Sequence, residues 1–251
     1  MSLLLVAHGS RDPRFAATLT RVRGEVRAAM PGRRVELAFL DLDEPLVGAV
    51  LDELTSDGED VTVVPLLLGD GYHSRFDLPV LLDAARRRHP GVSVAQTPVL
   101  GSTSLAGALV DRLREAGFRS GDGVVMYGVG SSDERSDDAA RSRGAEVATL
   151  VGLPVEVVFA TKLGENAVEL HAALARLRAA GAQRIVGLPY FLSPGLLTER
   201  VEALLDGPVA APLADHPDVI SAIVVQAAPF SSNTADRRRM TTMAVRDVGI
   251  C

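Results

Sequence analysis

Two histidines, His8 and His73, each fall in a glycine-containing loop directly after a short apolar run, and the later half of the chain repeats both loops without them. The first site reads Leu3-Leu-Leu-Val-Ala-His8-Gly9-Ser10-Arg11-Asp12, and its echo reads Val124-Val-Met-Tyr-Gly-Val129-Gly130-Ser131-Ser132-Asp133. The second reads Val63-Val-Pro65-Leu-Leu-Leu-Gly-Asp-Gly71-Tyr72-His73, echoed by Val186-Gly-Leu-Pro189-Tyr-Phe-Leu-Ser-Pro-Gly195-Leu196-Leu197. A scaffold present twice, with imidazoles in one copy only, points to chemistry rather than folding. Asp41, in Phe39-Leu40-Asp41-Leu42, ends a further apolar run. Two imidazoles and a carboxylate are a donor set suited to divalent iron, cobalt, nickel or zinc. The matching positions of the second half, Val129, Thr161 and Leu197, offer no good ligand.

The elements that must position these residues alternate from end to end. Strands are expected at 3–7, 34–40, 61–67 and 92–97, and helices at 13–30, 45–54, 78–88 and 104–115. The second half repeats the pattern, with strands at 124–127, 154–159, 184–189 and 207–211 and helices at 134–151, 165–180, 195–205 and 217–226. Strict alternation predicts an α/β fold: two parallel sheets flanked by helices, with right-handed crossovers. Asp12-Pro13 and Glu44-Pro45 read as helix starts, an acid followed by proline at the first helical position. A repeat of about 120 residues is far too long for a solenoid unit and fits a duplicated domain. The expected organisation is an N-terminal domain at 1–117, a degenerate copy at 123–228 and a tail at 229–251. In such sheets the loops at the carboxyl ends of strands line the ligand crevice, so His8, His73 and Asp41 can converge there.

Composition narrows the function classes. The single cysteine, Cys251, excludes an intrachain disulfide, a thiolate zinc site and a cysteine-held iron–sulfur cluster. No stretch approaches the roughly 20 apolar residues of a membrane span, and nothing resembles a signal segment, so a soluble cytoplasmic protein is expected. A net charge of −6 argues against a general nucleic-acid binder. No Gly-x-Ser-x-Gly elbow, Walker A lysine or Gly-x-Gly-x-x-Gly fingerprint occurs, and Ala7 stands where a phosphohistidine site would want arginine.

Each residue also has a structural explanation. Gly9 and Gly71 suit tight turns, Ser10 and Asp12 suit helix caps, and Asp41, Asp43 and Glu44 could form a solvated acidic turn. His89, His171 and His216 read as helix-end, helix-face and loop residues outside the site. Arg11 and Arg75, close to the two histidines, are either anion partners or solvated side chains.

Together, Ala7-His8-Gly9-Ser10-Arg11, Phe39-Leu40-Asp41…Glu44-Pro45, Pro65-Leu-Leu-Leu-Gly-Asp-Gly71-Tyr-His73…Asp77-Leu78-Pro79 and Pro98-Val99-Leu100-Gly101 resemble the sirohydrochlorin chelatase and cobalt chelatase family. The second half resembles the degenerate copy of the family's long form. The resemblance implies two similar chelatase-type domains facing a cleft. It also implies insertion of a divalent metal, Fe2+ or Co2+, into sirohydrochlorin for sirohaem or cobalamin synthesis. His8 and His73 would bind the incoming metal. Asp41 stands where the family commonly has glutamate, a shorter arm, and Leu67 where it has phenylalanine, a residue that recurs as Phe191. Ser10, Arg11 and Arg75 are the candidates for the substrate's carboxylates. No tightly bound cofactor, no nucleic-acid partner and a monomer are expected. A metal or tetrapyrrole carrier and a metal-dependent hydrolase are the competing readings.

Overall fold

A computed structural model describes residues 1–228; the expected tail at 229–251 lies outside the described residues. The first sheet comprises β1 (Ser2–Ala7), β2 (Arg34–Phe39), β3 (Val61–Pro65) and β4 (Val94–Gln96), in the order β2-β1-β3-β4. The second comprises β5 (Asp122–Gly128), β6 (Val155–Phe159) and β7 (Arg184–Pro189), in the order β6-β5-β7. Every ladder is parallel. Between strands run α1 (Pro13–Ala29), α2 (Val47–Ser56), α3 (Leu78–Arg88), α4 (Ala106–Glu115), α5 (Glu134–Val151) and α6 (Val168–Ala179), and α7 (Leu196–Glu202) and α8 (Pro217–Ala227) follow β7. The α/β expectation thus holds, with two parallel sheets flanked by helices.

The central strands are buried on both faces, which explains their unbroken apolar runs. Along β1 the side chains alternate: Leu3, Leu5 and Ala7 enter one core cluster, Leu4 and Val6 another. β5 does the same, with Val124 and Met126 in the first cluster and Val125 and Tyr127 in a third. The first cluster therefore joins the inner faces of both sheets.

Helix exchange closes that shared layer. α4 precedes the expected boundary near 117–123 yet packs against α5 and β7 of the second half. α8 lies at the far end of the repeat yet packs against α1 and β3 of the first half. Gln226, near the end of α8, donates from Nε2 to the Thr103 hydroxyl at 3.1 Å, and the Arg33 guanidinium holds the Ala227 carbonyl. The repeat seen in sequence and the packing units of the fold therefore divide the chain differently.

Three local expectations need correction. Asp12 caps α1 as expected, its Oδ1 accepting the Arg14 N–H at 3.0 Å. Glu44-Pro45, however, does not start α2, which begins at Val47 with Leu46 at the cap. The Pro45 carbonyl instead receives the Phe39 N–H at 2.9 Å, extending the β2 edge. The strand expected at 207–211 shrinks to a single bridge, Gly187 to Val209. Pro208 and Pro212 have no N–H for a longer ladder. The helix expected at 165–180 begins only at Val168, because Asn166 and Ala167 take left-handed backbone with φ of 50° and 54°.

Gly9 shows what the site requires of its backbone. It lies at φ +102°, and a Cβ placed there would sit 1.7 Å from the Asp41 carbonyl oxygen. The loops after β1 and β2 meet at that point, so no side chain fits between them. Gly9→Ala should cost about 2–4 kcal/mol, combining backbone strain with a collision against fixed backbone. Urea unfolding will read this as a lower midpoint at unchanged slope; an unchanged midpoint would show that the two loops can separate without penalty.

Candidate functional site

Parallel register delivers the site residues to one edge. Beyond the β1–β2 ladder, the Leu40 N–H donates to the Ala7 carbonyl and the Asp41 N–H to the His8 carbonyl, both at 2.9 Å. The second half repeats this bond for bond: Ala160 N–H to Gly128 O at 2.9 Å and Thr161 N–H to Val129 O at 3.0 Å. Val129 and Thr161 are therefore the structural counterparts of His8 and Asp41, as the repeat predicts.

His73 starts a π-helical turn, His73–Asp77, that runs directly into α3. This segment reads as a loop in the sequence. The turn is held from beneath: the Ser74 hydroxyl donates to Asp70 Oδ1 at 2.7 Å, and Gln96 Nε2 donates to the Ser74 carbonyl at 3.1 Å. Such turns are uncommon and concentrate at functional sites. Spacing of four places Asp77 under the imidazole, and His73 Nδ1 donates to Asp77 Oδ2 at 2.6 Å. Exposed Tyr72 stacks on Phe76 beside it, with ring centroids 4.9 Å apart.

His8 and His73, distant in sequence, face each other with Nε2 to Nε2 at 3.0 Å. Both Nδ1 atoms lie against acceptors, Asp77 for His73 and the Gly9 carbonyl, at 3.2 Å, for His8. Acceptors on Nδ1 fix the proton there and leave the Nε2 lone pair outward. Two such lone pairs at hydrogen-bond distance repel unless a cation, a proton or a metal ion, is shared between them. The pair is a candidate two-nitrogen cation site with both rings pre-oriented. Asp77 is the member that sequence reasoning passed over; its signal is the His73/Asp77 spacing, informative only once the segment is known to be helical.

The remaining expected members take other roles. Asp41 does not complete a three-ligand set: its Oδ1 accepts the Leu42 N–H at 2.8 Å, and among the described residues no third His, Cys, Asp or Glu joins the pair in a preformed cluster. One oxygen of the short aspartate arm is thus engaged by its own turn. Ser10 is engaged in its loop, its N–H donating to Asp43 Oδ2 at 2.8 Å and its hydroxyl accepting the Asp12 N–H at 3.1 Å. Arg11 is exposed. Arg75 is not free for an incoming anion, since Nη1 bonds Asp133 Oδ2 at 2.9 Å and Nε lies 3.5 Å from Asp70 Oδ2. His216 is a buried cap of α8, its Nδ1 accepting the Asp218 N–H at 3.2 Å, and stands apart from the site.

The histidine pair opens on a cavity of about 430 Å³ between the halves, within the range of small-molecule sites. The first half contributes Phe15 and Leu66–Leu68; the second contributes Phe159, Tyr190 and Phe191, with Ser131, Ser132 and Ser136 on its polar side. Leu67 and Phe191, matched positions of the repeat, both line it. Asp137 on the second wall is buried and neutralised by Lys162, the only lysine of the chain, at 2.6 Å. The walls are thus largely apolar, and the accessible nitrogen lone pairs lie on one side.

The loop carrying His8 ends on a pH-dependent anchor. The Arg14 guanidinium, then the Arg14 N–H, hold the Asp12 carboxyl well below its ordinary 3.8, at about 2, against the opposing effect of burial. A carboxyl lowered on folding stabilises the fold above its unfolded value and loses that contribution as pH falls through the folded one. The difference in urea midpoint between the wild type and Asp12→Asn should therefore be constant above pH 3.8 and vanish between 3.8 and about 2. A difference that persists at the acid end would mean that Asp12 acts through its shape as a cap alone.

Comparison with known proteins agrees with this architecture. The CbiX family model matches the chain twice, at residues 2–116 and 123–231. A sirohydrochlorin cobaltochelatase of Priestia megaterium is 29% identical over 218 residues, covering 81% of this chain and 68% of that protein. A sirohydrochlorin ferrochelatase of Bacillus subtilis is 27% identical over 209 residues, covering 80% and 77%. The fold is that of SirB from Bacillus subtilis, solved with Fe3+, at a TM-score of 0.77 and 23% identity over 94% of this chain and 97% of that one. With its family model matched in both halves, the chain belongs to the CbiX family.

Proposed function

We propose that this protein inserts a divalent metal, Fe2+ or Co2+, into sirohydrochlorin. The observation that carries the reading is the His8–His73 pair, Nε2 to Nε2 at 3.0 Å, at the mouth of an apolar cavity. The names of the relatives agree with it and divide between iron and cobalt.

Insertion requires stripping water from the ion, presenting it to the pyrrole nitrogens and removing two N–H protons. His8 and His73 replace part of the water. At metal–nitrogen distances of ~2.1 Å, a 3.0 Å separation corresponds to an N–metal–N angle of about 90°. That is the angle of adjacent sites on an octahedral ion and leaves its remaining positions toward the cavity. Asp77 keeps the His73 lone pair aimed at the ion and offsets part of its charge. When the metal departs into the ring, the two Nε2 lone pairs become free to accept the two displaced protons. Asp41, beside His8 on the neighbouring strand end, adds negative charge at longer range. Arg11, exposed three residues past His8, is a cation suited to a substrate carboxylate, and backbone N–H groups at the start of α1 can assist. The metal is substrate, and no resident cofactor is part of this mechanism. A monomer acting in the cytoplasm completes the reading: both walls come from one chain, and no described helix is long and apolar enough to cross a membrane.

The test is anaerobic absorbance on mixing sirohydrochlorin, Fe2+ or Co2+ and a trace of protein. Many turnovers per chain are expected, with His8→Ala and His73→Ala each at least ~100-fold slower. Asp77→Asn should weaken metal binding roughly 10- to 100-fold while leaving the fold intact. Full rate in both histidine variants would overturn the site. A reaction that stops at one equivalent per chain would make the protein a carrier, and hydrolysis of esters or phosphates without tetrapyrrole turnover would make it a hydrolase.

A further inference from the structure

Two ionic chains tie the halves together across the cleft. In one, Asp133 Oδ2 accepts from Arg75 Nη1 at 2.9 Å and from Arg135 Nη2 at 3.0 Å. In the other, Arg14 Nη2 donates to Glu199 Oε1 at 2.6 Å and to Asp12 Oδ2 at 2.5 Å. The participants correspond under the internal repeat. Asp12 and Asp133 are the caps of α1 and α5, and each accepts the N–H of Arg14 or Arg135 two residues on. Arg75 and Glu199 each stand two residues past the matched pair His73 and Leu197. One clasp therefore runs base–acid–base and the other acid–base–acid, from the same three positions. Each joins the start of the first helix of one half to the segment that follows the third strand of the other.

Only the Arg75 clasp grips the turn that carries His73. Further contacts of the same loop reach the second half. A Cβ on Gly69 would come 2.2 Å from the Ser136 hydroxyl, and the Tyr190 hydroxyl lies 3.4 Å from the Leu68 carbonyl. The second half lacks the ligands, yet its first-strand loop holds the ligand-bearing turn of the first half in place.

We infer that Asp133 is a positioning residue for the metal site: through Arg75 it sets the orientation of the His73 turn against His8. This rests on the reading of His8 and His73 as the metal-binding pair. The pair Arg75–Asp133 is partly shielded, with side chains 33% and 24% exposed, so its effect is modest and measurable. Asn retains the capping capacity of Asp, so Asp133→Asn removes the charge without unfolding the start of α5.

The experiment is titration of the full chain with Co2+ alone, followed by its visible absorbance. Asp133→Asn and Arg75→Gln should each weaken binding roughly three- to tenfold, and the double variant should be no weaker than either single one. Glu199→Gln, which opens the other clasp, should bind Co2+ as the wild type does. Amide exchange in the metal-free protein should quicken over residues 71–77 in Asp133→Asn and not in Glu199→Gln. Wild-type affinity in Asp133→Asn, fully additive losses in the double variant, or an equal loss in Glu199→Gln would overturn the assignment. Co2+ binding that survives His73→Ala would sink the metal-site reading and this inference with it. Loss in His73→Ala beside wild-type affinity in Asp133→Asn sinks the positioning role alone.

Discussion

The site depends on one hydrocarbon layer that both sheets share. Leu3 and Leu5 of β1 and Val124 and Met126 of β5 belong to the same buried cluster, and the exchanged helices α4 and α8 fill the space between them. Neither sheet can shift against the other without opening that layer, at about 25 cal/mol for each Å² of apolar surface exposed. Two independently folding domains on a linker would leave the cleft width to weak contacts. Helix exchange makes it a property of the core, and the clasps at Asp133 and Arg14 then adjust an opening already fixed.

Within that frame, the chemistry of the pair follows from what lies behind each ring. An imidazole with no fixed partner on Nδ1 divides its proton between two nitrogens and turns freely. Here Asp77 and the Gly9 carbonyl hold Nδ1–H on both rings, and the two Nε2 atoms come to 3.0 Å. Both lone pairs then point at the same place, where a shared cation would be held by two nitrogens at once. The partners differ in charge, a carboxylate behind His73 and a carbonyl behind His8. His73 also sits on the more exposed of the two elements.

The sequence made much of this legible. Alternating apolar runs located the strands, Asp12-Pro13 located the start of α1, and the absence of imidazoles from the second copy singled out His8 and His73. Each of these signals is local or depends on comparing two stretches of one chain. What escaped depends on contacts between distant segments. Helix exchange leaves no local trace, because α4 and α8 have the same apolar faces whichever sheet they cover. Asp77 was invisible as a partner while its segment read as loop, since only a helical turn brings residues four apart together. Glu44-Pro45 misled for the opposite reason: its local pattern matches a helix start, but the Pro45 carbonyl is drawn to the β2 edge. Asp41 was placed at the correct strand end, yet which way a short carboxylate turns is decided by the nearest N–H, here that of Leu42.

Duplication followed by one-sided loss has a physical logic under the proposed metal insertion. A metal-insertion site must hold an ion and then release it into a planar ring, so it cannot surround the ion. Two nitrogens at an angle of about 90° leave most of an octahedral shell open. A second histidine pair on the opposite wall would take two more of those positions and compete for them with the pyrrole nitrogens. The second wall presents instead Val129, Phe159 and Phe191, with the charge of Asp137 cancelled by Lys162. A largely apolar surface of this kind, its serines gathered on one side, suits one face of a macrocycle and offers the ion no imidazole. The half without ligands is thus suited to directing the metal one way, toward the ring, while Asp133 keeps the donors opposite it in register.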